Sequence, residues 1–153
     1  MTDLKKNYDK LKAKYKLPDL KFLQAEFGIE LKETILQSIV DGMLNVIFDN
    51  AKLIESIIFV DSGSAASHLY EASMINENKI DAFEVYKKLM SLYWSGKKAK
   101  IKNDEKIMSA FINECYEKWS KIIKVKLLKM YEVFEKEWNS VSLRESEERA
   151  YHG

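Results

Sequence analysis

An all-α fold is what this sequence predicts, and three observations carry that expectation. The chain holds a single proline, Pro18, and its four internal glycines, Gly28, Gly42, Gly63 and Gly96, stand far apart. Breakers this sparse leave too few residues for the tight turns of an antiparallel sheet. Between them, apolar residues recur at spacings of three and four, the period of a helix with one buried face. A length of 153 residues suits one domain, able to bury roughly two-thirds of the surface its unfolded chain exposes. The expected architecture is a single bundle of five or six helices over residues 1–139, with a hydrophobic central helix, a long C-terminal helix and a polar tail at 140–153.

The first helix follows from Leu4, Tyr8, Leu11 and Tyr15, spaced four, three and four, with lysines on the remaining circumference. Pro18 and Asp19 end it and open a second, because proline fits a first helical turn and the Asp19 carboxylate can accept from the free amides there. Leu20, Leu23 and Phe27 give that helix its inner face, and Gly28 is a left-handed stop. Residues 30–60 change character. Ile35, Leu36, Ile39, Val40, Met43, Val46, Ile47, Ile54, Ile57 and Ile58 cover most of the circumference, against a narrow polar stripe of Gln37, Asp41, Asn45, Asp49 and Lys52. A helix this apolar belongs in the centre of a bundle, with Gly42 or Asn50 as places for a bend.

Small and hydroxyl-bearing residues at 61–67 predict a loop, followed by a short helix through Leu69 and Ala72. Asn78, with Asp81 three residues on, reads as a cap opening a helix whose Phe83, Tyr86, Met90 and Tyr93 face inward and which stops at Gly96. Residues 97–103 then form a basic connector. Asp104 begins the longest element, in which Met108, Ile112, Tyr116, Trp119, Ile123, Leu127, Met130, Phe134 and Trp138 mark one stripe. A single helix over 104–138 is ~50 Å long, whereas a compact chain of this size is only ~40 Å across. Another helix of this chain or a second copy must therefore cover the rings near its far end, and the leading expectation is a second copy, with Met130, Phe134 and Trp138 at the interface.

Net charge is +1, but it is laid down in blocks of alternating sign: +3 over 1–32, −5 over 33–96, +6 over 97–129 and −3 over 130–153. Such blocks attract one another across a bundle or between subunits, and they lack the sustained basic excess of a polyanion-binding protein. The longest strictly apolar run in the most hydrophobic region is Ile57, Ile58, Phe59 and Val60, far short of the ~18 residues that a membrane span requires. One cysteine, Cys115, and a polar N-terminus without an apolar core behind it point to a cytoplasmic protein with no export signal and no membrane partner.

Few residues carry chemistry. His68 follows Ser62, Gly63, Ser64 and Ser67, an arrangement that offers hydroxyls, an imidazole and helix-start amides to an anion, although a serine cap is the simpler account. Asp41, Asn45 and Asp49 present oxygens at i, i+4 and i+8, suited to Mg²⁺, Mn²⁺ or Ca²⁺; helical metal sites generally recruit carboxylates from several facing helices, so a solvent-facing stripe is the plainer reading. Trp94 with Lys97, Lys98, Lys100 and Lys102 suggests a stacking and phosphate-binding strip for nucleic acid, set against an ordinary solvated basic segment. Cys115 has no neighbouring His or Arg to activate it and fits a small core position. No cofactor is expected. The leading functional expectation is a non-enzymatic intracellular protein acting through protein–protein association as a homodimer. The alternatives are nucleic acid or phosphate-anion binding through 93–106, and divalent-metal-dependent hydrolysis of a phosphorylated small molecule centred on Asp41 and Asp49.

Overall fold

The computed structural model describes residues 2–59 and 76–140, and every described element is helical. The loop and short helix expected within 61–75, and the tail beyond Ser140, lie outside the described residues. Helix α1 spans Thr2–Tyr15 and buries Tyr8 completely, with Leu4, Leu11 and Tyr15 packed partly against the core. Lys16 turns the chain at φ 55°, and the Tyr8 hydroxyl donates to the Pro18 carbonyl, fastening the turn to its own helix.

Helix α2, Leu20–Phe27, buries Leu23 and Phe27 and ends at Gly28, whose φ of 60° and amide bond to the Gln24 carbonyl make a left-handed cap. Asp19 does stand at the N-cap, but its carboxylate makes no cap bond; Lys12 of α1 takes it instead. A charged donor across the turn outcompetes the local amides.

Helix α3, Ile35–Ile58, is the central element and buries eleven side chains, from Ile35 to Ile57. Its Gly42 serves close packing, because a Cβ there would lie 2.3 Å from Ile29 Cδ1. Antiparallel to α3 runs α4, Asn76–Lys102, and this hairpin is the main pairing of the fold. Its register is marked by Gln37 with Asn103, Asp41 with Lys100, and Phe48 with Tyr93.

Two expectations for α4 are corrected. The helix passes through Gly96 and ends at Asn103, φ 51°, so residues 97–102 are its last turns and no connector. Its inner face is Ala82, Val85, Leu89, Leu92 and Ala99; of the residues expected there, Tyr86, Met90 and Tyr93 pack partly buried at the edge of the core and Phe83 is exposed. Gly96 supplies the reason: a Cβ there would lie 2.6 Å from Leu44 Cδ2 and 2.7 Å from Phe111 Cζ. Small side chains let three helices approach closely, and that geometry rotates the larger ones outward.

Helix α5, Glu105–Lys118, is capped by Asp104, whose carboxylate accepts from the Ile107 amide at 2.9 Å. It continues through a π-helical turn, Trp119–Ile123, into α6, Lys124–Ser140. The long C-terminal rod is thus continuous. Its buried seam runs Met108, Ile112, Cys115, Trp119, Ile123, Leu127, Met130 and Phe134, with Tyr116 displaced to the flank. From Cys115 to Leu127 the spacing is four three times over, about 1.2 residues more than three α-turns hold. The π turn absorbs one of them, its Lys124 amide bonding to the Trp119 carbonyl. Glu26 of α2 then receives the Trp119 indole N–H at 3.0 Å and the Lys124 ammonium at 2.7 Å, one from each side of that turn.

Candidate functional site

Helix α4 carries two apolar faces. The inner one is part of the core just described. The outer one is built from Ile80, Phe83, Lys87, Met90, Trp94, Lys97 and Ile101, separated by three and four residues in strict alternation. That is a period of 3.5, the seam of a two-stranded coiled coil, sustained over three heptads. Four of its members face solvent, Ile80 64% exposed, Phe83 42%, Trp94 64% and Ile101 85%, while Met90 packs partly against the core.

Along the border with α3 this strip merges into a run of rings. Phe48 and Tyr93 lie 5.5 Å apart, Trp94 meets Tyr93 edge-on at 5.2 Å, and Phe59 meets Tyr86 edge-on at 5.9 Å. Lysines sit over the rings, Lys52 on Phe48 at 5.5 Å, Lys97 on Tyr93 at 5.4 Å and Lys87 on Phe83 at 5.8 Å. An ammonium over an aromatic face is attracted by the ring quadrupole while its stem covers apolar surface. Two of these lysines are also ion-paired, Lys87 with Glu84 at 3.6 Å and Lys52 with Glu55 at 3.5 Å, so the surface is oily with its charge largely balanced.

The expected nucleic-acid residues map onto this region but do not form one strip. Lys97 lies over Tyr93, and Lys100 is paired with Asp41. Lys98 and Lys102 are exposed on other parts of the circumference. Asp41, Asn45 and Asp49 all stand on the exposed side of α3. Among the described residues, no group of three or more His, Cys, Asp or Glu side chains is arranged to hold a metal ion. The salt bridge to Lys100 engages Asp41 instead. Ser62, Gly63, Ser64, Ser67 and His68, the expected anion pocket, lie outside the described residues.

For the expected interface on the long helix, Met130 and Phe134 are buried within the single chain, so covering them takes no second copy. Trp138 remains 41% exposed. Cys115 is buried, and loss of solvation pushes its thiol up to about 12, so it stays protonated at neutral pH. Glu26 accepts from two partners; the Lys124 ammonium and, to a smaller extent, the Trp119 N–H hold it below the usual carboxylate range against the opposing effect of burial.

Sequence reasoning did not find the outer α4 seam. The signal was present: two apolar stripes interleave on one helix, and the stripe of small residues competes with the stripe of large ones for the inside. No described helix is long and apolar enough to cross a membrane. Comparison with protein-family models, with curated proteins and with solved structures finds nothing that matches this chain.

Proposed function

We propose that this chain works by association and not by chemistry, offering the outer face of α4 as a docking surface for an amphipathic helix of a protein partner. The observation that carries the reading is the 3.5-residue strip on the solvent side of α4, with Ile80, Trp94 and Ile101 open to water. Scattered exposed apolar residues are ordinary, whereas a contiguous strip in coiled-coil register marks an interaction surface. Helix-in-groove recognition uses this pattern of anchors.

A photo-crosslinking benzoylphenylalanine in place of Trp94 tests the surface in cells. The expected result is one discrete adduct, absent when the same group replaces the exposed Lys10 of α1. Equal labelling from both positions, or none from residue 94, overturns the reading. Nucleic acid has weaker support, because Lys100 is neutralised by Asp41 and the acidic residues of α3 border the same surface.

A further inference from the structure

We infer that the cleft between the starts of α1 and α2 binds a free single-chain amphiphilic anion, an aliphatic carboxylate whose chain lies on the cleft floor and whose head is held by Lys5 and Lys21. The site shares no described lining residue with the outer face of α4 and is independent of the reading given to that face. Leu4 and Lys5 come from α1, Leu20, Lys21 and Gln24 from α2, and Ile29, Glu30 and Leu31 from the non-helical chain that leads toward α3. Together they line a cavity of about 510 Å³, within the range of small-ligand sites.

Floor and rim differ in kind. Ile29 is buried, and Leu4, Leu20 and Leu31 pack partly against the core, so the described floor is aliphatic and holds no ring. Such a floor suits a flexible methylene chain, which gains about fourfold in affinity for each CH₂ taken out of water. A planar aromatic ligand finds no face to stack on. Lys5 follows Leu4 and Lys21 follows Leu20 in sequence, so each helix sets one cation at the edge of the floor.

Those two cations are available. Among the described residues neither takes part in an ion pair: Lys21 lies over the Phe22 ring at 5.3 Å, and Lys5 has no carboxylate partner. Other lysines of α1 are already engaged, Lys12 by Asp19 and Lys14 by Glu105. Glu30 is the one acid among the described lining residues, and it pairs with neither rim lysine. Two ammonium groups against one carboxylate leave the rim positive, and their donors match the two oxygens of a carboxylate head. The backbone amides of Ile29, Glu30 and Leu31 make no hydrogen bond within the described protein, which adds donors beside the floor.

A residue-resolved ¹⁵N NMR titration with decanoate, kept below its micelle-forming concentration, tests the proposal. Saturable shifts are expected at Lys5, Lys21 and Ile29 to Leu31, with a dissociation constant on the order of hundreds of micromolar. Octanoate is expected to bind about tenfold more weakly, and acetate not to saturate. Lys5→Glu combined with Lys21→Glu alters two exposed side chains and is expected to weaken decanoate by about fivefold or more while leaving decanol within about twofold. Leu31→Asp, checked by circular dichroism, is expected to weaken both ligands; the lysine variants keep the test decisive if that change unfolds the chain.

Shifts that never saturate, or that centre on another surface, overturn the cleft. Saturable binding indifferent to the paired lysine reversal overturns the assigned head group. Affinity that does not grow from octanoate to decanoate overturns the aliphatic floor. Cosedimentation with phosphatidylglycerol vesicles, without saturable binding of decanoate, overturns the free ligand in favour of a bilayer surface.

Discussion

Ser109 is almost fully buried, and its hydroxyl has no hydrogen-bond partner. A buried polar group without a partner loses its hydration and gains nothing in return, so Ser109→Ala is expected to raise the unfolding free energy by about 1 kcal/mol in urea titration. A loss instead would show that the hydroxyl is engaged. The two helical glycines make a second contrast. Alanine at Gly42 meets only the flexible end of Ile29, and the gain in helix propensity of about 1 kcal/mol offsets that contact, leaving stability nearly unchanged. Alanine at Gly96 meets Leu44 and the buried ring of Phe111 together, and is expected to cost about 2 kcal/mol. At this scale the sequence was legible where the physics is local. Gly28 ends one helix and Asp104 opens another as their neighbours dictate. Asp19 was not legible as an ion-pair partner, because the ammonium that takes its carboxylate lies seven residues back, on another helix.

At the level of elements, the π turn and α2 form one joint, with Glu26 bonded on either side of Trp119–Ile123 and Phe27 packed on the Trp119 ring at 5.6 Å. The Glu26 carboxyl is held below the value it takes in the unfolded chain. Its contribution to stability is accordingly present above the ordinary carboxylate range and disappears as pH falls through the lowered folded value. Glu26→Gln is expected to be less stable than the native chain at neutral pH, with the gap closing on acidification; urea titrations at several pH values read it. A gap independent of pH would assign the effect to packing alone. Helix positions were largely readable, since periodicity repeats every turn and depends on few residues. The π turn was not, although three successive fours from Cys115 to Leu127 were its trace. A stripe of uniform α-period was drawn through Tyr116 in place of Cys115, because the ring outweighs the thiol when size alone decides what is inside.

For the whole molecule, the all-α class and the order of the described helices followed from sequence, whereas the way they face one another did not. Which side of α4 turns inward depends on three-body closeness between Gly96, Leu44 and Phe111, a property of the assembled bundle that no window of sequence contains. At the far end of the rod Met130 and Phe134 are buried within their own chain, while α4 exposes Ile80, Phe83, Trp94 and Ile101. Charge blocks are partly spent inside the fold as well, Asp41 on Lys100 and Glu26 on Lys124.

The openness of Trp94 gives the molecule a built-in optical gauge. Trp119 is sealed and emits from a dry setting, whereas Trp138, 41% exposed, and Trp94, 64% exposed, emit from wetter ones, Trp94 until something displaces its water. Whatever covers the outer face of α4 should therefore move the fluorescence toward the blue, and Trp94→Phe should abolish that movement, with no dye or tag attached.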